Sequence, residues 1–174
     1  MKFLATFYLF LPAFVANATP VILTAIPFVK RINAPVWKRG FGDHKTWAGF
    51  IGGTAMAVLT SVVQFFIRDI DVVSALTILH TSLTQSIIIG LLLGLGALMG
   101  DAGKSFCKRR IGIRPGGAWP IIDGIDYIVG SVVFIAPVFM PPLIHCIGLL
   151  FIGPPLSLAA NTFSYVVGWK KTWY

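Results

Sequence analysis

The sequence predicts an all-α, polytopic membrane protein with about five transmembrane helices and two functional cytoplasmic loops. Three observations support this fold class. Of the 174 residues, 56% are hydrophobic and 11% are charged, whereas a soluble domain carries about 25% charged residues. The mean hydropathy is +0.85. The chain also contains uncharged runs that exceed the ~20 residues an α-helix needs to cross a bilayer. These features exclude a water-soluble enzyme.

The uncharged runs give the positions of the membrane spans. The predicted spans are residues 3–29, 47–67, 74–100, 121–141 and 143–167. Pro141 and Pro142 separate the last two, because consecutive prolines remove backbone donors and stop a helix. The prolines of the first span predict kinks or an irregular inner side. We expect one integral-membrane domain over residues 1–174.

The distribution of basic residues predicts the orientation in the membrane. Segments 30–46 and 101–120 contain most of the Lys and Arg, whereas the opposite side would hold Lys2 and Arg68. Cytoplasmic loops retain Lys and Arg, so we expect the N-terminus outside and both basic loops and the C-terminus in the cytoplasm. The net charge of +8 comes from residues that flank the spans. We therefore expect contact with the bilayer and with no nucleic acid.

The most polar stretch is residues 100–126, which holds three of the six aspartates. If the third helix continues into this stretch, Asp101, Ser105 and Lys108 lie on one stripe at i, i+4 and i+7. Lys104 is adjacent to this stripe. A carboxylate, a hydroxyl and an ammonium on one face suit a divalent cation and a phosphate. The alternative is a solvated basic helix end that anchors to lipid headgroups.

The fourth helix carries Asp123 and Asp126, whose i+3 spacing places both carboxylates on one face. Mg²⁺ prefers a few carboxylates together with phosphate oxygens and water. With Asp101 from the neighbouring helix, the pair would form a magnesium site between helices. A favourable interaction with the helix dipole is the alternative, and it explains one aspartate better than two. Between the helix ends, Gly116 and Gly117 would let backbone N–H groups approach a ligand.

The first basic loop ends in residues 40–49, which contain a second group of candidates. Lys45 and Thr46, at the start of the second span, would bind phosphate at a helix N-terminus. Trp47 would stack on a base or lie in the interfacial aromatic belt. His44 is an isolated loop histidine, which is usually not catalytic.

At these residues the sequence resembles the CTP-dependent phosphatidate cytidylyltransferase superfamily. The superfamily signature is an upstream aspartate, a Ser-x-x-Lys-Arg run, a Gly-Gly pair and an Asp-x-x-Asp motif. The residues that match it are Asp101, Ser105, Lys108, Arg109, Gly116, Gly117, Asp123 and Asp126. Residues 45–53 match a second motif of the superfamily, Lys-Thr-Trp-x-Gly-Phe-Ile-Gly-Gly.

Two positions depart from the usual pattern of the superfamily. Pro115 precedes the glycine pair, where His is usual, and Gly124 follows Asp123, where Arg is usual. The short chain and the Gly-Asp-His-Lys-Thr-Trp run at residues 42–47 are similar to the archaeal branch, the CDP-archaeol synthases. The resemblance covers nearly the whole chain.

The resemblance implies transfer of a cytidylyl group from CTP to a membrane lipid phosphate, with Mg²⁺ as cofactor and release of diphosphate. In the archaeal branch the acceptor is an isoprenoid ether lipid phosphate, 2,3-bis-(O-geranylgeranyl)-sn-glycerol 1-phosphate. On this hypothesis the catalytic residues are Asp101, Lys104, Ser105, Lys108, Asp123 and Asp126, with the three aspartates as metal ligands. The substrate-binding residues are Asp43, Lys45, Thr46, Trp47, Arg109, Arg114, Gly116 and Gly117.

Other functions remain open from the residues alone. A CDP-diacylglycerol-type synthase acting on another lipid phosphate would use the same motifs. A small membrane transporter would place charges near the helix centres, whereas the acids here cluster at predicted helix ends. A CDP-alcohol phosphotransferase would space its aspartates more densely than this chain does.

Overall fold

The structure is a computed structural model that describes residues 2–114, 117, 119 and 121–169. These residues form α-helices joined by turns and loops, with one isolated antiparallel bridge between Pro35 and Thr46. The helices are α1 (Lys2–Leu9), α2 (Leu11–Ala25), α3 (Pro27–Ile32), α4 (Lys38–Phe41), α5 (Trp47–Ile67), α6 (Asp71–Ser74), α7 (Leu83–Arg110), α8 (Ile122–Ile135) and α9 (Leu143–Val166). The predicted all-α class is confirmed.

Three of the described helices, α5, α7 and α9, are long and apolar enough to cross a membrane. Helices α1 and α2 are bent by 45° relative to each other and would together form one broken span. Helix α8 has 14 residues, which makes it about 21 Å long at 1.5 Å per residue, shorter than a hydrocarbon core of about 30 Å. The count of five spans therefore stays a prediction.

Prolines break the first predicted span, residues 3–29. Pro12 and Pro27 lie in the first turns of α2 and α3, where the missing proline N–H has no intrahelical partner to lose. Pro20 lies inside α2. The expected irregularity of this span is thus present as two helix breaks.

The third predicted span, residues 74–100, corresponds to α7, whose bounds differ from the prediction at both ends. Helix α7 begins only at Leu83, because Ser82 and Gln85 form a capping box: the Ser82 hydroxyl accepts from the Gln85 N–H at 3.3 Å, and the Gln85 side chain accepts from the Ser82 N–H at 2.8 Å. At its other end α7 continues to Arg110. Residues 101–110, the first part of the polar stretch, are therefore helical, as the predicted stripe of charged residues requires.

The fourth and fifth predicted spans correspond to α8 and α9, which are connected through the predicted proline turn. Helix α8 ends at Ile135 rather than near residue 141, and α9 begins at Leu143, directly after Pro142. The predicted first-turn position of Pro120 lies outside the described residues.

Helix α7 lies between α5 and α8 and packs extensively on both. On the α5 side, a Cβ added at Gly90 would lie 2.8 Å from the Val58 Cα, and one added at Gly94 would lie 2.6 Å from the Ala57 Cβ. Both distances are shorter than real Cβ contacts, so these positions of α7 admit only glycine without a shift of α5.

A second glycine contact joins α7 to α8. A Cβ at Gly96 would lie 2.7 Å from the carbonyl oxygen of Gly130, and a Cβ at Gly100 would meet the carbonyl oxygen of Asp126. Small residues four positions apart let membrane helices approach this closely. The two backbones are therefore in contact at Gly100, directly before Asp101. This contact brings Asp101 of α7 close to Asp126 of α8.

Replacing Gly100 by alanine is expected to lower the free energy of unfolding by about 1–3 kcal/mol, because the added methyl group overpacks against backbone atoms. Gly103 on the same helix is a matched control, since a Cβ there has nothing within 4 Å. Gly103→Ala should be neutral or raise stability by up to ~1 kcal/mol through helix propensity. Thermal unfolding in detergent compares the two variants, and equal midpoints would contradict the close crossing.

Candidate active site

Three aspartates and three lysines from the start of α5, from α7 and from α8 form one group of ion pairs, here called the charged cluster. Its members are Lys45, Asp101, Lys104, Lys108, Asp123 and Asp126. With all six side chains ionised, the charges of the cluster sum to zero. All six residues are among the candidates predicted from the sequence.

The Lys104 ammonium contacts all three carboxylates. Its Nζ lies 3.0 Å from Asp101 Oδ1, 3.2 Å from Asp123 Oδ1 and 2.8 Å from Asp126 Oδ2. All three distances are within ion-pair range, so one ammonium partly neutralises three aspartates. Because the Lys104 side chain is only 12% exposed, water screens these contacts weakly.

The other two lysines pair with the outer carboxylates. Lys45 forms an ion pair with Asp101. Lys108, whose side chain is 8% exposed, donates to both oxygens of Asp123 at 2.8 and 3.0 Å. The backbone N–H of Trp119 also donates to Asp123, at 2.6 Å. Asp123 is thereby held on two sides.

Asp126 is the deepest carboxylate of the cluster, with a side chain that is 3% exposed. Within the described residues, neither of its oxygens accepts a hydrogen bond of ordinary geometry. Oδ2 has the close ionic contact with Lys104, and Oδ1 has no such ion pair. A buried acceptor without a donor is costly, and an unused carboxylate oxygen is available to a cation.

Local helix geometry explains how the cluster forms. Asp101, Lys104 and Lys108 follow each other at i, i+3 and i+7 on α7, and Asp123 and Asp126 lie at i and i+3 on α8, so each set shares one helix face. The glycine contact between α7 and α8 places these faces opposite each other. Of the predicted stripe on this helix, Asp101 and Lys108 are in the cluster, whereas Lys104, predicted only beside the stripe, takes the position expected for Ser105.

Lys45 reaches the cluster because its loop is held against the preceding segment. The Val36 N–H donates to the Lys45 carbonyl at 2.8 Å, and the Trp47 N–H donates to the Ala34 carbonyl at 3.0 Å. Thr46 then caps α5, since its buried hydroxyl accepts from the Gly49 N–H at 3.3 Å.

Several predicted site residues lie apart from the cluster's ion pairs. Asp43 pairs with Lys38 at 3.4 Å in an exposed position, and the Trp47 ring is half exposed. Ser105 is buried, and its hydroxyl donates to the Asp101 carbonyl at 2.9 Å. Its proton is therefore used within α7 rather than at the carboxylates.

The remaining candidates surround the end of α7. Arg109 donates to the Ile113 carbonyl, and its buried Nε has no partner within the described residues. Arg114 is exposed, and its carbonyl accepts from the Gly117 N–H at 2.9 Å. Gly116 lies outside the described residues, so the predicted Gly-Gly contact with a ligand is untested.

Helix α9 supports the start of α8, a role that the sequence analysis missed. A Cβ at Gly124 would lie 2.8 Å from the Pro154 N, and the Ser157 hydroxyl donates to the Asp123 carbonyl at 3.3 Å. The sequence feature that could have predicted this packing is Gly124 itself, which stands where the superfamily usually has Arg. With glycine at this position, α9 can pack directly behind Asp123.

The three carboxylates converge on an ammonium rather than on a gap of metal-ion size. In the part of the chain that the structure describes, no three His, Cys, Asp or Glu side chains are arranged to hold a metal ion as they stand. The donor chemistry nevertheless fits a hard cation, because three carboxylates reach one point and Asp126 Oδ1 is unused.

Long apolar helices and a charge-balanced cluster at one end of them define a multi-pass membrane protein with a polar site between its helices. The chain belongs to the CDP-archaeol synthase family: the family model described as CarS-like, CDP-archaeol synthase, matches residues 1–174. The resemblance inferred from the sequence motifs is thereby confirmed.

Curated relatives and a solved structure agree with this membership. The chain is 35% identical to the CDP-archaeol synthase of Pyrococcus horikoshii, over 98% of this chain and 96% of that protein. It is 32% identical to the CDP-archaeol synthase of Methanococcus aeolicus, over 97% and 95%. It is also similar to a solved intramembrane enzyme for archaeal membrane lipids biosynthesis, with a TM-score of 0.63 and 30% identity over 90% of this chain and 92% of that one.

Replacing Lys104 by methionine is expected to lower the free energy of unfolding by about 3–5 kcal/mol, since three carboxylates, of which Asp126 is buried, lose their shared counter-charge. Added Mg²⁺ should recover part of this loss, because a divalent cation can take the place of the ammonium. Lys38→Met is the matched control, since it breaks an exposed ion pair worth about 0–1 kcal/mol. If thermal unfolding shows equal effects of the two substitutions, Lys104 does not hold the cluster together.

Proposed function

We propose that the protein is a CTP-dependent cytidylyltransferase of archaeal phospholipid biosynthesis. It would convert 2,3-bis-(O-geranylgeranyl)-sn-glycerol 1-phosphate to CDP-2,3-bis-(O-geranylgeranyl)-sn-glycerol, with release of diphosphate. Family membership and the names of the relatives support the reaction class. The observation that carries the proposal is the charged cluster, in which Lys104 contacts three carboxylates at one end of the helices.

The carboxylates are the proposed magnesium ligands. Asp101, Asp123 and Asp126 would hold Mg²⁺, which prefers carboxylate and phosphate oxygens and neutralises charge on a reacting phosphate. The support is the convergence of the three side chains on one point and the unused oxygen of Asp126.

The lysines of the cluster are the proposed phosphate ligands. A triphosphate is highly negative, so Lys45, Lys104 and Lys108 can bind it only when their carboxylate partners have another counter-charge. A lysine ammonium is a compact charge on a flexible four-carbon stem. Each of the three can therefore turn from a carboxylate to a phosphate oxygen while its Cα stays in place. The exposed Arg114 would add a fourth cation from the loop.

The reaction itself requires positioning and charge neutralisation more than covalent chemistry by the protein. An oxygen of the lipid phosphate attacks the α-phosphorus of CTP, a new P–O bond forms, and the bond to the leaving diphosphate breaks. The lysines would hold the reacting phosphates in line and neutralise the charge that develops. Asp43, Thr46, Trp47, Arg109 and the backbone at Gly116 and Gly117 remain the proposed contacts to the rest of CTP.

We place the charged cluster on the cytoplasmic side of the membrane and the N-terminus outside. The support is the positive-inside rule. The start of α5 and the end of α7 carry the cluster and the neighbouring basic residues, whereas Arg68 lies at the opposite end of α5. On that side the cluster would face both cytoplasmic CTP and the inner leaflet.

Replacing Asp123 or Asp126 by asparagine is expected to lower CMP incorporation from labelled CTP into lipid by about 10²-fold or more, because a neutral amide cannot replace a carboxylate in neutralising a cation. Asp71→Asn is the matched control, since Asp71 is exposed on α6, at the other end of the helices. Near-normal turnover of both cluster variants, in protein that unfolds at the wild-type temperature, would contradict the assignment.

A further inference from the structure

The N–H groups of the first three residues of α5 are all used within the protein. Such groups have no partner inside their own helix, so they need other acceptors. The Trp47 N–H donates to a loop carbonyl at 3.0 Å, and the Gly49 N–H donates to the Thr46 hydroxyl at 3.3 Å. The Ala48 N–H, between these two, donates to the side-chain Oδ1 of Asn33 at 3.2 Å. A phosphate beside this turn would therefore need side-chain donors rather than these N–H groups.

Asn33 completes a short pairing of two loop segments. Residues 34–36 pair antiparallel with residues 45–47 through a bridge that is flanked by backbone hydrogen bonds of 2.8 and 3.0 Å. The next pair in the same register is Asn33 with Ala48. Because Ala48 already belongs to α5, the Asn33 side chain takes the place of a backbone acceptor there. The amide oxygen thus fixes the point at which the loop pairing passes into the helix.

Lys45 depends on this pairing for its position. Five of the six members of the charged cluster lie on α7 or α8, where the glycine crossing places them. Lys45 is the sixth, and it reaches Asp101 from the paired loop segment. A slip of the pairing by one residue would turn the Lys45 side chain to the opposite face and break this ion pair. The register of the loop therefore decides whether Lys45 joins the cluster.

The segment before α5 needs tertiary contacts to keep this register. Helices α3 and α4 have six and four residues, which is shorter than helices that are stable in isolation. Asn33 is the C-cap of α3, and its hydrogen bond to Ala48 spans 15 positions of the chain and is partly buried. This one side chain therefore ties the end of α3 to the start of α5.

We propose that Asn33 is a positioning residue for Lys45: its amide oxygen holds the loop register that directs the Lys45 ammonium into the charged cluster. The inference rests on the proposed function, in which Lys45 binds a phosphate of CTP, and it adds a residue outside the cluster on which that contact depends. Asn33 acts through Lys45 and not on the substrate. Loss of its oxygen therefore weakens the binding of CTP and leaves the binding of the lipid phosphate unchanged.

Two substitutions at Asn33 test this role. Asn33→Leu removes the acceptor at similar side-chain size and is expected to raise the KM for CTP on the order of tenfold, the size of one lost contact, with the KM for the lipid phosphate unchanged. Asn33→Asp keeps an oxygen acceptor at a helix N-terminus, where Asp caps as well as Asn, and should restore the wild-type KM. Ser82→Ala is the matched control, because it removes a helix cap at the far end of α7, and it should leave both KM values unchanged.

A double substitution separates positioning from a general loss of stability. In the Lys45→Met variant, adding Asn33→Leu is expected to leave the KM for CTP unchanged, because the ammonium that Asn33 positions is absent. If Asn33→Leu does not fold in detergent, Asn33→Ser replaces it in both comparisons, since the serine oxygen lies one bond closer to the backbone than the asparagine oxygen.

Two results would overturn the inference while CDP-lipid formation by the wild type upholds the function. One is an unchanged KM for CTP in the single Asn33 variant. The other is a further tenfold rise when that substitution is added to Lys45→Met, because Asn33 would then act independently of Lys45. If the wild type forms no CDP-lipid from any lipid phosphate, the proposed function is wrong, and the inference falls with it.

Discussion

Where α7 crosses α8, glycines on both helices leave no side chain between the two backbones. At that separation, the carboxylates of Asp101 and Asp126 and the ammonium of Lys104 come within ion-pair distance. A larger residue at Gly100 or Gly130 would move α8 outward and open every contact that spans the two helices. The position of the charged cluster therefore depends on this crossing, and α9 maintains it from behind through Gly124.

The cluster is electrically balanced but not an efficient way to stabilise a protein. Buried ion pairs are often no better than apolar residues of similar volume, because desolvation offsets much of their attraction. Charges next to apolar membrane helices are costly and usually serve a function. The shared Lys104 ammonium explains how the three carboxylates are tolerated in the folded protein, and the proposed exchange of that ammonium for a metal ion would explain why they are retained.

Helical spacing made much of the site predictable from the sequence. Asp101, Lys104 and Lys108 lie on one face of α7, and Asp123 and Asp126 lie on one face of α8, as the spacing requires. The central position of Lys104 was not predictable, since spacing defines a face but not the partners across it. The late start of α7 was hidden because residues 75–82 are uncharged, like a span. The support from α9 depends on a contact between Gly124 and Pro154, which are distant in sequence.

The central claim is that the three aspartates of the cluster form a metal site for a nucleotide triphosphate. The most direct measurement is a crystal structure with CTP and Mn²⁺ in place of Mg²⁺, in which anomalous scattering locates the metal. We predict Mn²⁺ bonded to Asp101, Asp123 and Asp126, with the Lys104 ammonium moved onto a phosphate oxygen. A bound CTP whose metal lies elsewhere, with Lys104 still paired to the three carboxylates, would contradict the claim.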